Sequence, residues 1–175
     1  MKDIINIYVD MDGVQTVYNK DDLVEDMMKP GYFISRQAHP EVISFLKHLH
    51  QDKRFNVSVL SAVFADNHSV YEKSLWLDKQ GLSDLNAIFV PCGIPKASFI
   101  ANDTLNILID DFSTNLFQWE AAGNNFLGIK FLNEANGVNG TWYDHRGATL
   151  SYTMTSKELY DNLTDIICLS QAQTA

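Results

Sequence analysis

Five short runs of β-branched and aromatic residues recur along this chain, at 4–9, 56–60, 87–90, 105–109 and 126–131, and segments with helical spacing separate them. No other feature constrains the fold as much. Strands that alternate with helices pair side by side as a parallel sheet, with helices covering its faces. The expected architecture is therefore α/β, a three-layer sandwich around a central parallel sheet. Pro40-Glu41 opens one helix, whose apolar positions Val42, Phe45, Leu46 and Leu49 fall on one face. Further helices are expected at 68–80, stopped by Gly81, from Ser113 or Thr114 as cap to about Ala122, and at 156–169. Residues 149–154 suit an edge strand, and the Gly- and Asn-rich stretch 133–147 a loop or hairpin.

Residues 14–38 lack a sustained period and contain Pro30-Gly31. They read as a small cap inserted after the first strand, helical around 22–28, within a single domain spanning 1–175. No repeat, low-complexity tract or interdomain linker interrupts the chain.

The strands end in unusual residues. The first runs into Asp10-Met11-Asp12-Gly13, the second into Ser61, the third into a Gly93-Ile94-Pro95 loop before Lys96, and the fourth into Asp110-Asp111. In an open parallel sheet the ligand crevice lies beyond the carboxyl ends of the strands. Four acids, a hydroxyl and an ammonium thus converge on one rim, where like carboxylates cannot all ionise without a cation. An all-oxygen donor set suits Mg²⁺. Acids after strands also cap helices, but Ser113-Thr114 offers a cap after the fourth strand, which leaves Asp110 and Asp111 with less structural excuse. Lys79 complements a helix C-terminus and Lys130 lies inside the fifth strand, so Lys96 is the candidate rim lysine.

These motifs, in this order, resemble those of the haloacid dehalogenase superfamily of phosphohydrolases. Asp10-Met11-Asp12-Gly13-Val14 is similar to its first motif, Ser61 to the second, Lys96 to the third and Asp110-Asp111 to the fourth. Within that superfamily, residues 10–14, Tyr71-Glu72-Lys73 with Trp76, and residues 108–111 look most like the 5'(3')-deoxyribonucleotidases; beyond about Phe131 the resemblance fades. It implies that Asp10 attacks phosphorus and that Asp12 acts as general acid and then base. Ser61 and Lys96 would bind the phosphoryl group, with amides of the Gly13 turn approaching it. It also implies a metal site formed by Asp10, Asp110, Asp111 and the backbone carbonyl of Asp12. The implied substrate is a small phosphorylated molecule, a nucleoside monophosphate above all. Tyr18, Tyr32 and Phe33 would either stack on its base or form the cap's own core. Trp142 is a further candidate to line the site, whereas Trp76 and Trp119 read as core.

Composition narrows the partners. Asp and Glu outnumber Lys and Arg by 22 to 13, and a net charge of −9 repels polymeric nucleic acid. The N-terminal run is too short for a membrane span, and the two cysteines, Cys92 and Cys168, suit reduced thiols, so a cytoplasmic protein is expected. Two rivals stay open: a phosphatase or phosphotransferase with another small substrate, and a non-catalytic protein that binds metal and nucleotide.

Overall fold

A computed structural model describes residues 4–66, 68–136, 142 and 148–174. Six strands form one sheet: β1 (Ile5–Val9), β2 (Phe55–Val63), β3 (Asn86–Pro91), β4 (Asn106–Asp110), β5 (Phe126–Leu132) and β6 (Thr149–Ser151). Their order is β3-β2-β1-β4-β5-β6 and every pairing is parallel. The expected edge strand is thus present as β6, in three residues.

Alternation along the strands decides which layer each side chain joins. Ile7 and Val9, Val57 and Val59, Ile107 and Ile109 face one core, which α2 (Pro40–Gln51), α3 (Ser69–Lys79) and α5 (Ser156–Thr174) cover. Tyr8, Leu60 and Leu108 face the other, closed by α4 (Ser113–Glu120) and a 3₁₀ turn over Lys96–Phe99. The result is a three-layer α/β sandwich. No helix among the described residues is long and apolar enough to cross a membrane.

The chain leaves the first strand through a short stem. Thr16 bridges Ala38 antiparallel, Val17 N–H donates to the Gln37 carbonyl at 2.8 Å, and His39 N–H donates to the Gln15 carbonyl at 2.9 Å. Between the two legs lie α1 (Val24–Met27) and a 3₁₀ turn over Phe33–Ser35.

Three local expectations change. β2 does not stop at Ser61 but runs on to Val63, because Ser61, Ala62 and Val63 pair with Phe89, Val90 and Pro91 of β3. Neither Ser113 nor Thr114 caps α4: Phe112 is the capping residue, with no side-chain cap bond, and Ser113 is already helical. Trp142 is buried in the second core, its ring 5.3 Å from Phe117 and its edge over Gly128, and so packs as a core residue. Trp76 and Trp119 are buried as expected, and both cysteines are free. The expected loop or hairpin at 133–147 falls largely outside the described residues.

Candidate active site

Strand phase brings the rim residues together. Asp110 continues the Leu108 phase of β4 toward the Lys96 turn, and the Lys96 ammonium bridges Asp110 Oδ2 at 2.7 Å and Asp10 Oδ1 at 2.8 Å. Asn115, one turn into α4, donates to the same Asp110 oxygen at 2.9 Å, while Asp110 Oδ1 accepts the Phe112 amide at 2.8 Å. Asp110 therefore does part of the turn-capping expected of Ser113-Thr114.

Asp10, Asp110 and Asp111 offer ligand oxygens that all lie within 4.8 Å of one another. Among the described residues, Lys96 is the one cation in salt-bridge contact with them. Burial first, and then the charges of Asp110 and Asp12, push the Asp10 carboxyl up to about 6 against the opposing pull of Lys96. Burial and the charges of Asp110 and Asp10 raise Asp111 well above the usual carboxylate range. Burial disfavours the Lys96 ammonium, but Asp10 and Asp110 outweigh it and hold its pKa above the ordinary lysine value. Asp10 Oδ1 is buried, and the Lys96 ammonium is the one cation it meets among the described residues. A cluster of hard oxygens with a shared deficit of positive charge fits a divalent cation.

Gly13 packs against this cluster. Its φ is +76°, and a Cβ there would come within 2.2 Å of Asp111 Oδ2. Any side chain would meet both backbone strain and the Asp111 carboxylate. Asn133, just past β5, spans the same gap: its amide donates at 2.8 Å to the Gly13 carbonyl and at 2.8 Å to Asp111 Oδ2. Lys130 donates to the Asp111 carbonyl and, at 2.9 Å, to Ser113 Oγ. It thus steadies the acidic turn from within β5, in contact with neither Asp10 nor Asp110 among the described ion pairs.

Asp12 stands apart from the three-acid cluster. Its side chain is 38% exposed and pairs with Lys73, a lysine with no exposed side-chain surface. Lys73 projects from α3 and also donates to Ser61 Oγ at 2.9 Å and to the Ala62 carbonyl at 2.7 Å. Ser61 shares the strand phase of Val57 and Val59, which is why it meets α3 rather than the Lys96 turn. Lys73 also lies 4.5 Å from the centroid of the Phe33 ring.

Beside Asp12 opens a cavity of about 130 Å³, lined by Asp12, Tyr18, Tyr32, Phe33, Arg36 and Phe64. Phe33 meets Tyr32 edge-on at 5.1 Å and Phe64 at 6.4 Å, so it serves the cap's packing and walls the cavity at once. Arg36 is paired with Asp22 at 2.5 Å, which leaves the wall close to neutral. Two larger hollows, of about 540 and 690 Å³, lie at the opposite rim and hold no comparable cluster of buried acids among the described residues.

The rim therefore unites Asp10, Asp12, Gly13, Ser61, Lys96, Asp110 and Asp111, with Phe33 across the cavity. Sequence reasoning assigns Lys73, Lys130 and Asn133 no part in it. For Lys73 a signal exists: Glu72 and Lys73 sit on the same helical face as Trp76 and Leu77, where uncompensated charge is not expected. No family model matches the chain, and no curated protein matches it.

Proposed function

We propose that the chain is a Mg²⁺-dependent phosphomonoester hydrolase that works through an aspartyl-phosphate on Asp10, with nucleoside 5'-monophosphates as substrates. The observation that carries this reading is the arrangement around Lys96: one ammonium between Asp10 and Asp110, with a third acid alongside and a fourth, Asp12, turned toward a cavity. A purely structural rim has no use for two buried acids with two more beside them.

Asp10, Asp110 and Asp111 would hold the metal, and the resemblance adds the Asp12 carbonyl. When bound, Mg²⁺ supplies positive charge to the phosphoryl oxygens during transfer. The Asp10 carboxylate forms a bond to phosphorus as the bond to the leaving oxygen breaks, and Asp12 gives that oxygen its proton. In the second half-reaction Asp12 takes a proton from water, water oxygen bonds phosphorus, and the Asp10–phosphorus bond breaks. Lys96, Ser61 and the amides of the Gly13 turn stabilise the phosphoryl oxygens.

The cavity supports a small leaving group. It opens directly beside Asp12 and is walled by the rings of Tyr18, Tyr32, Phe33 and Phe64, on which a base could stack. Deoxyribonucleotides with pyrimidine bases, dUMP and dTMP, are the proposed preferred substrates. The testing experiment is kcat/KM with Mg²⁺ for dUMP, dTMP, UMP, dGMP and a sugar phosphate, side by side. The expected order puts dUMP and dTMP first; a winning sugar phosphate would overturn the nucleotide part and leave the phosphatase. Turnover of p-nitrophenyl phosphate that needs Asp10 dismisses a non-catalytic binding protein. Asp12→Asn should cost least with p-nitrophenolate, which leaves without a proton.

A further inference from the structure

The cap is gripped from one turn of α3, and the grip is unusual in kind. Glu72 is 6% exposed, and neither of its oxygens pairs with a cation among the described residues. Instead Oε1 accepts the Gly31 amide at 2.5 Å and Oε2 accepts the Phe33 amide at 3.1 Å. Gly31 has φ +92° and no heavy atom within 4 Å of where a Cβ would sit, so its glycine serves the backbone turn and not a close approach. That turn aims the amides of residues 31 and 33 at one carboxylate. One turn further along, Trp76 Nε1 donates to the Arg36 carbonyl at 2.8 Å.

Apolar packing could hold a cap against a helix at less cost than a buried carboxylate, but without direction. Two hydrogen bonds to a charged acceptor fix both the position and the rotation of the backbone they hold. The backbone fixed here carries Phe33, whose ring walls the cavity and lies under Lys73, the partner of Asp12. Adjacent residues of α3 thus hold the cavity wall and the proposed proton donor.

We propose that Glu72 is the positioning residue for leaving-group selection: it pins the cap at Gly31 and Phe33 so that the Phe33 ring meets the leaving group beside Asp12. This rests on the phosphohydrolase reading above and adds the residue that sets its selectivity.

The test uses the full chain with Mg²⁺ and compares dUMP with acetyl phosphate, which presents no ring to the cap. Glu72→Gln, Glu72→Asp, Phe33→Ala and Glu72→Gln/Phe33→Ala are measured on both, with amide hydrogen exchange at residues 31 and 33. Glu72→Gln should lower kcat/KM for dUMP about tenfold, mainly through KM, and change acetyl phosphate far less. Glu72→Asp keeps the charge but withdraws the acceptor, and should behave alike. Exchange at Gly31 and Phe33 should quicken in both. In the Phe33→Ala background, Glu72→Gln should cost nothing further on dUMP, because its effect runs through that ring. Equal losses on both substrates, or additive losses in the double variant, would overturn the proposal and leave Glu72 a fold-supporting residue. If the wild type prefers a sugar phosphate to dUMP, the nucleotide reading fails. The same comparison, run with that sugar phosphate, then still decides the role of Glu72.

Discussion

At the amino-terminal rim of the sheet, Asn6 stands in register with Asn56 on β2 and Asn106 on β4. The three amides bond to one another at 3.0 Å, and Asn6 also donates to Thr104 Oγ1 at 2.7 Å. Toward the carboxyl-terminal rim, the same three strands carry Ser61 on β2, Asp110 at the end of β4 and Asp10 just past β1. The asparagine ladder at one rim uses neutral groups that satisfy each other; the three-acid cluster at the other has Lys96 as its one salt-bridge partner among the described residues. Polar side chains at a strand end thus say little on their own. The difference between a structural rim and a reactive one is whether donors, acceptors and charges balance without a ligand.

The contrast breaks most decisively at Asp10. Asp10→Asn should abolish aspartyl-phosphate formation and lower turnover by more than about 10⁴-fold, as loss of a covalent nucleophile does. It also removes one of three mutually repelling carboxylates, so the metal-free melting temperature should hold or rise. Rapid-quench trapping of phosphoprotein and a thermal melt check both halves. A fall of several degrees with activity retained would make this rim structural after all.

Asn133 offers the next largest effect. It ties Asp111 Oδ2 to the Gly13 carbonyl, so Asn133→Ala should loosen a proposed ligand and weaken Mg²⁺ binding by about 10–100-fold. The reading is the Mg²⁺ concentration that raises the melting temperature, since a ligand specific to the folded state stabilises it by mass action. An unchanged midpoint would mean that Asp111 is held well enough by its neighbours.

Legibility in the chain differs by element. The sheet is readable because buried parallel strands are nearly continuous apolar runs, and all five expected runs lie in strands, within a residue or three of their ends. The acids are readable because Asp10, Asp12, Asp110 and Asp111 come directly after those runs. Ser61 reads as a strand end, yet pairing with β3, a long-range event, carries β2 past it. Ser113 and Thr114 match a capping preference that Asp110 and Lys130 override by taking the Phe112 amide and the Ser113 hydroxyl. Lys73 shares a helical face with Trp76 and Leu77, which signals its burial but not its partner, and Asn133 reaches the site from beyond β5, a contact that spacing within one segment cannot register.

The amino-terminal rim should respond in the opposite way to the proposed active one. Asn106 is fully buried, donates to the Ala101 and Thr104 carbonyls at 2.9 and 3.0 Å, and accepts from Asn6. Asn106→Ala strands these partners and should cost about 1–3 kcal/mol. At about 2–4 °C per kcal/mol for a chain of this size, the melting temperature falls visibly. The kcat should stay within about twofold, because the rim lies at the far end of the strands. A large loss of kcat with unchanged stability would erase the distinction between the rims.

The smallest effect lies beside that ladder and depends on pH. Bonds from Arg54, together with the Tyr160 hydroxyl, hold the Asp52 carboxyl well below its ordinary value of 3.8, against the opposing effect of burial. A carboxylate depressed in the folded state adds stability that is fully present above the unfolded pKa and is lost as pH falls through the folded one. Asp52→Asn should therefore lower stability at pH 7, by at most about 1 kcal/mol because Arg54 is largely exposed. Urea unfolding of both proteins from pH 7 to 2.5 measures the gap. It should stay constant down to about pH 5 and narrow below about pH 4. High salt should shrink it as well, as it does for exposed pairs. A gap that persists unchanged at pH 2.5 would mean that Asp52 contributes through its neutral hydrogen bonds, which would make this corner as charge-indifferent as the asparagine ladder next to it.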